Sequence, residues 1–379
     1  MHPLKGLRVM DMSRILAGPW MGQVFADLGA DVIKVESPKG DDTRAWGPPF
    51  IERDGDKSAA YFYSANRGKR SICVDFTQEE GQRVVKALAG TSDVLIENFK
   101  VGGLAKYGLD YESLKAVNLK LVYCSITGFG QTGPYAHRAG YDYLIQGMGG
   151  LMSITGEPDG DPQRVGVAVT DLLTGLYGVI GVQAALVQRG ITGEGSHVDM
   201  SLLDCATSAL ANQAMNYFVS GKPPVRTGNY HPNLVPYQVF EAMDGHIIIA
   251  TGNDAQYHRL CDLLGVEFLK EDARFAKNSD RVENREALIQ LLTTRTKVWR
   301  KEALLGALET KNIPAGPINS LDDVFADDQV QARNLKVEPN GVPGVRGPWN
   351  FSNSDLNLKR TAPKLGEHTD EILQELGLA

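Results

Sequence analysis

The stretch from Val165 to Gln188, VGVAVTDLLTGLYGVIGVQAALVQ, runs for 24 residues with a single charge, Asp171. A segment this apolar needs a partner surface, and its length and period suit one long helix rather than a strand. It is long enough to cross a bilayer, but Asp171, Gln183 and its glycines favour a buried helix. Gly175, Gly178 and Gly181 recur every three residues and leave room for a second backbone to pack closely. Asp171 itself has two readings. It stands where the alternating run Val165, Val167, Val169 gives way to Leu172, Leu173, Tyr177 and Ile180, which is where a helix N-cap belongs. A carboxylate there also meets the positive end of the helix dipole, which keeps it ionised as a nucleophile requires.

A chain of 379 residues can bury a large core and suits two domains. With 39 basic against 46 acidic residues, no global positive field attracts nucleic acid or an anionic membrane, so any phosphate-bearing ligand has to be held locally. The four cysteines form no CxxC pair or compact disulfide framework, which predicts reduced thiols and a cytoplasmic protein. MHPLKGLRVMDMSR lacks the apolar core of a signal peptide.

Short apolar strands alternate with helices through the first third of the chain. Leu7–Met10, Asp31–Glu36, Ser71–Phe76, Asp93–Glu97 and Leu121–Ile126 read as strands. Between them come a helix of about ten residues from Trp20, one opened by a capping box at Thr77 and Glu80, and a short one near Tyr111 to Val117. This predicts an α/β fold with a doubly wound, mostly parallel, Rossmann-like sheet and ligands beyond the carboxyl ends of its strands. The loops expected there, Ser13–Gly18, Asn98–Gly103 and Gly128–Gly140, are polar and glycine-rich, and no GxGxxG follows the first strand. SHVDMSLLD reads as a strand entering a helix that runs to about Tyr217. The Gly/Pro/Asn-rich Gly221–Pro236 then opens a small α+β domain, with a hairpin about Asp244-Gly245 and helices near Asp254–Leu264, Asn284–Leu292 and Val298–Leu308. The expected division is a large domain over 1–220, a small one over 221–316, and a tail, 317–379, that returns to the large domain with a final helix opened by Thr369.

A serine hydrolase is disfavoured by the absence of G-x-S-x-G, and a metal site by seven histidines without H-x-x-x-H or HExxH spacing. Arg14, Lys69, Arg70, Lys106 and Arg138 lie near the converging loops and could meet phosphates or remain solvated surface charge. Tyr141-Asp142 follows Gly140 and places a phenol and a second carboxylate, itself a candidate cap, at a loop-to-helix turn. His231 reads as either a turn residue or a ligand contact. The residues alone reach an α/β enzyme with an acidic nucleophile and a phosphate-bearing ligand.

The ordered series LKGLRVMDMSRILAGP, LGADVIKVESP, TRAWGPP, NRGKRSICVDF, LIENFKVGGLAKYGLDY, AGYDYLIQGMGGLMSITGEPDGDP, VAVTDLLTGLYG, TGEGSHVDMSLLD, GNYHPNLVPYQVF and APKLGEHTDEIL resembles the class III CoA-transferases, the formyl-CoA transferase type or CaiB/BaiF family, nearly end to end. The resemblance implies coenzyme A and acyl-CoA as substrates with no tightly bound cofactor or metal, a small carboxylic acid as second substrate, and an interlocked homodimer. It implies Asp171 as the nucleophile, passing through an aspartyl-acyl anhydride and an aspartyl-CoA thioester. The family's CoA-contacting positions fall on Leu16, Ala17, Val74, Asp75, Phe76, Thr77, Asn98, Phe99, Lys100, Lys106, Arg138, Ala139, Gly140 and Tyr141, with Arg14 nearby and Asp142 as a further site residue. Two positions that can be basic in formyl-CoA transferases are Ser37 and Thr77 here, with Lys39, Arg44 or Lys69 as expected substitutes. The mobile glycine loop matches Gly228, Asn229, Tyr230, His231 and Pro232, a departure from polyglycine that resembles members moving CoA between dicarboxylates such as succinate and glutarate. The superfamily also holds α-methylacyl-CoA racemases, whose GHD histidine is Tyr141 here, a poor proton shuttle near neutrality. A non-catalytic CoA-binding protein is the remaining alternative.

Overall fold

The computed structural model describes residues 1–378. It divides into two compact units, one made of Met1–Leu151, Arg164–Lys222 and the chain from Asp328, the other of Met152–Gln163 and Pro223–Asp327. The segment 152–163, which the sequence reading placed with the large domain, belongs to the second unit, and so does the chain from 317 to 327.

The larger unit is built on a six-stranded sheet of β1 (Arg8–Asp11), β2 (Asp31–Glu36), β3 (Arg70–Cys73), β4 (Val94–Glu97), β5 (Val122–Thr127) and β6 (His197–Ser201), in the order β3-β2-β1-β4-β5-β6. Every pairing is parallel. The central strands are buried on both faces, which is why β4 reads as a continuous apolar run, Val94–Ile96, rather than an alternating one, and why the Lys34 and Glu36 charges of β2 are buried and paired. One face, with Val9, Val94, Ile96, Val122 and Cys124, packs on helices α1 (Ala17–Asp27) and α4 (Val169–Thr192). The other, with Met10, Ile33, Leu95 and Tyr123, packs on α2 (Glu79–Gly90) and on Ile372 of the C-terminal helix Thr369–Glu375. Arg70 ties that helix to β3, reaching Glu371 at 2.8 Å and Glu375 at 2.7 Å.

Two local expectations fail for physical reasons. The capping box at Thr77 and Glu80 does not form, because Thr77 turns back on Asp75, which accepts both its N–H (3.0 Å) and its hydroxyl (2.6 Å), so the helix starts at Glu79. The helix after β6 breaks into α5 (Leu202–Ser208) and α6 (Ala211–Ser220), with Ala211, the first residue of α6, at φ 43°.

The apolar stretch forms α4 as expected, and its glycines do what their spacing implies. A Cβ on Gly175 would lie 2.7 Å from the Ala17 carbonyl oxygen, one on Gly178 3.0 Å from Met21 Sδ, and one on Gly181 3.2 Å from Val198. The helix therefore lies directly on the start of α1 and on β6. It is not buried all round: Ile180, Val187 and Ile191 are 61, 70 and 84% exposed.

The smaller unit holds an antiparallel sheet of β7 (Tyr237–Ala242), β8 (Gly245–Ala250) and β9 (Ala315–Pro317), in the order β9-β8-β7. Helices Asp254–Leu264, Arg285–Thr296 and Lys301–Thr310 cover it around a core that includes Phe240, Ile247, Leu260, Leu288 and Leu304.

Candidate active site

The order of the parallel strands reverses at β1, so the connections leaving β1 and β4 diverge and open a crevice at their carboxyl ends. A cavity of about 520 Å³ occupies this place. Its walls bring together Arg14, Leu16, Ala17, Phe76, Thr77, Asn98, Phe99, Lys100, Lys106, Arg138, Ala139, Gly140, Tyr141 and Asp171. They also include Ile15 and Gly128 from the loops expected there, and residues that sequence reasoning did not single out, among them Tyr107, Thr127 and Leu202. Val74 and Asp75 do not line it; Val74 is buried in the sheet–α2 core and Asp75 holds Thr77.

The β1 loop is held from beneath by buried charge. Lys34 Nζ donates to the Ser13 carbonyl and to Asp41, each at 2.9 Å, while Asp41 accepts the Ile15 and Thr43 amides at 3.4 and 3.0 Å. Burial would raise the Asp41 carboxyl, but the Lys34 ammonium overrides it and holds it down to about 2, so this brace is charged at every physiological pH. Under that constraint Ile15 adopts φ 72°, a left-handed conformation that a β-branched residue keeps only when its surroundings impose it. The Asn98 side chain then joins the β4 loop to the β1 loop, accepting from the Arg14 N–H (2.9 Å) and donating to its carbonyl (2.7 Å).

Aromatic rings and cations line part of the cavity. Phe76 packs edge-on against Phe99 and Tyr107, with centroids 5.6 and 5.5 Å apart. Lys106 Nζ lies 4.6 Å from the Tyr107 centroid, and the Arg138 guanidinium 4.6 Å from that of Tyr135. Arg44 and Lys69, expected as phosphate contacts, are consumed by the fold. Arg44 pairs with Glu36 at 2.7 Å, and the fully buried Lys69 donates to Asp11, the Pro19 carbonyl and Asn66, each at 2.8 Å. Lys39 and Ser37 are exposed.

Asp171 brings a carboxylate to the cavity wall. Gly128 and Gly140 cross so closely that a Cβ on either would lie within 2.6 Å of the other's Cα, and this crossing delivers Tyr141 and Asp142 to the start of helix α3 (Asp142–Met148). Asp142 does not line the cavity. Its buried carboxylate accepts the Thr170 N–H (2.8 Å), the Thr170 hydroxyl (2.7 Å) and the Gln146 amide (2.8 Å). It thereby caps α4 from outside that helix. Asp171, expected as the cap, is instead the third residue of α4, after Ala168 at the N-cap, and accepts no side-chain hydrogen bond among the described residues. Its ionisation also departs from expectation. Burial first, and the Asp142 charge second, push it up to about 7, outweighing the helix dipole. Tyr61, also missed in the sequence, has its phenol held protonated by burial and by the charges of Asp171, Asp142 and Asp41.

In the smaller unit, the Gly228–Pro232 loop is fastened by Arg285, which donates to the His231 carbonyl at 2.7 Å and stacks 4.2 Å over Tyr230. Gly228 has φ 59° and donates its N–H to the Gly156 carbonyl (3.0 Å).

Residues 4–369 match the profile described as CoA-transferase family III. The chain is similar to the succinate–glutarate CoA-transferase of Agrobacterium fabrum, at 56% identity over 99% of this chain and 96% of that one. It is also similar to the succinyl-CoA:glutarate CoA-transferase of Mus musculus, at 44% identity over 99% of this chain and 87% of that one. Among solved structures, a CaiB/BaiF family protein from Brucella suis superposes with a TM-score of 0.90 at 60% identity, covering 99% of both chains. A parallel α/β sheet with its crevice at the strand ends, and a match that runs almost the length of the chain, place this protein in CoA-transferase family III.

Proposed function

We propose that this CoA-transferase moves CoA from succinyl-CoA to a dicarboxylic acid of about five carbons, glutarate being the leading acceptor, with Asp171 as nucleophile. The names of the Agrobacterium and mouse relatives support these substrates. The single observation that carries the nucleophile is that Asp171 lines the cavity without a hydrogen-bond partner among the described residues, while its neighbour Asp142 accepts from the Thr170 N–H and hydroxyl that open α4.

The Asp171 carboxylate attacks the thioester carbonyl of the donor, and the C–S bond breaks to leave an aspartyl-acyl anhydride and CoA thiolate. The thiolate attacks the aspartyl carbonyl of that anhydride, releasing the donor acid and leaving CoA on Asp171 as a thioester. The acceptor carboxylate attacks this thioester, expelling the thiolate again, and the thiolate takes the acceptor acyl group from the second anhydride to regenerate the carboxylate. A poorly nucleophilic acid thus meets an activated acyl group at each step. A carboxylate that titrates near 7 is more basic than an ordinary aspartate and correspondingly more nucleophilic once ionised.

In this reading Arg14, Lys106 and Arg138 face the CoA phosphates, the Phe76–Phe99–Tyr107 cluster packs on the adenine, and the Asn98–Lys100 and Ala139–Tyr141 backbones border the pantetheine. The exposed face of α4, together with Met215, Phe218 and Val219 of α6, supports a homodimer that covers them, and the unpaired cysteines suit a cytoplasmic enzyme. The test is a mass-spectrometric assay of CoA products from succinyl-CoA and a panel of mono- and dicarboxylates. Glutaryl-CoA as the dominant product supports the reading, and transfer to monocarboxylates with none to glutarate or its neighbours overturns it.

A further inference from the structure

We infer that Glu97 is a positioning residue for the cleft, and that it exchanges its proton with solvent through Ser125 and His197 to set the grip of the Asn98–Lys100 loop on coenzyme A. This rests on the CoA cleft proposed above.

A second cavity of about 220 Å³ lies behind that loop, and Lys100, Val101 and Gly103 line both cavities. Its polar floor is one face of the sheet. Glu97 of β4 is in register with Ser125 of β5, and Ser125 with Asp199 of β6, two residues beyond His197. Glu97 is 5% exposed and Ser125 3%. One Glu97 oxygen accepts the Phe99 amide at 2.7 Å, in the middle of the loop whose Asn98 ties the two walls of the cleft together. Ser125, in register beside Glu97, places its Oγ 2.9 Å from His197 Nε2. His197 is exposed, with its ring stacked on Tyr111 at 5.0 Å. The three side chains therefore form a row from a buried acid to solvent.

Such a chain has two proton arrangements on the same heavy atoms. In the neutral one, Glu97 O–H donates to Ser125 Oγ, and Ser125 donates to the bare Nε2 of a His197 protonated at Nδ1. In the ionised one, the Glu97 proton has moved through Ser125 onto Nε2, and the Nδ1 proton has left for solvent. His197 is again neutral and now donates to Ser125, which donates to the carboxylate. One proton is released, and Phe99 then bonds to a charged acceptor, a roughly twofold stronger hydrogen bond. Burial, opposed by Ser125 and the Phe99 amide and reinforced by the Asp199 charge, raises Glu97 to about 7, which puts the exchange in the physiological range. The other charged and titratable groups facing the relay are Asp199, Glu112 and Tyr111 beside His197, Lys100 and Asp110 in the cavity wall, and Tyr123 on β5. No other component of the reaction uses Glu97, which does not line the larger cavity.

By linkage, a ligand held better by the ionised brace must expel the proton when it binds. The test is calorimetry of free CoA binding to D171N protein, which lacks the other carboxyl that titrates near 7, in buffers of different ionisation heat from pH 6 to 8. Binding is expected to tighten about fivefold more across this range than in the D171N/E97Q protein, with proton release near pH 7 that E97Q abolishes. The titration of CoA's own phosphate is common to both and cancels. H197F keeps the ring stack but removes the donor to Ser125, and should move the midpoint upward by about half a pH unit. An unchanged pH profile and undiminished proton release in D171N/E97Q overturn the brace; if that protein does not fold, an unmoved midpoint in D171N/H197F does so. Separately, D171N/K106A should weaken CoA binding about tenfold. Unchanged affinity there overturns the cleft reading itself, whereas weakened affinity with an E97Q-insensitive profile overturns only the brace.

Discussion

Asp142 and Asp171 stand at the starts of two packed helices, each among the first three residues. Asp142 is surrounded by donors, from Thr170 twice and from Gln146, whereas Asp171 receives none and opens on the cavity. The difference shows how a fold separates a structural acid from a reactive one. A carboxylate that finishes a helix is spent on its hydrogen bonds; relieving its neighbour of that duty leaves the neighbour's lone pairs for chemistry. The cost is a buried charge, seen in the rise of Asp171 to about 7.

The contrast can be broken most sharply by D171A, which should lower CoA exchange between acyl-CoA and free acid by roughly 10⁴-fold while the fold persists. Transfer at the parent rate would remove Asp171 from the chemistry. Next in size is D142A, which orphans the Thr170 N–H and the Gln146 amide and should cost about 2–4 kcal/mol in denaturant unfolding, far more than any loss at Asp171. G175A, whose Cβ would press on the Ala17 carbonyl at 2.7 Å, should cost about 1–3 kcal/mol and lower activity by shifting Asp171 relative to α1.

Smaller effects sharpen the electrostatic side. Because the anion is the nucleophile, kcat measured at saturating substrate should rise with pH to a plateau above about 7. D142N, by removing the like charge, should move that midpoint down by about half a unit or more. For stability the sign is the reverse. Between roughly pH 4 and pH 7 the folded protein keeps a proton on Asp171 that the unfolded chain has released, so this group costs stability as pH rises. D171N should therefore raise the unfolding temperature at pH 8, by about 2–4 °C, and leave it unchanged near pH 3. Equal gains at both pH values would mean that Asp171 is not strained by its charge.

The sheet was legible in the sequence because strands buried on both faces leave short apolar runs, as in Val94–Ile96, and the predicted bounds Asp31–Glu36 match β2. The loops at the strand ends were legible from glycine and polar clusters. What escaped was what depends on partners distant in sequence. Nothing local to Asp171 says that a carboxylate 29 residues upstream supplies its helix cap. Arg44 and Lys69 look like free cations in one dimension and prove to be committed to Glu36 and Asp11, contacts set by the pairing of β2 with its neighbours. Ile15 carries no mark of its left-handed backbone, which the buried Lys34–Asp41 pair imposes from the adjoining strand.

The crossing of Gly128 and Gly140 has a consequence for how such a protein can change. Each leaves less room than a methyl group needs because of the other's main chain, so neither position has a tolerated neighbour in sequence space, and a compensating change at one cannot rescue the other. Variation on this wall of the cleft is therefore channelled to Tyr141, which is 65% exposed beside this crossing. A directed-evolution library aimed at new acids would do best to leave the glycine pair alone and randomise the residue that follows it.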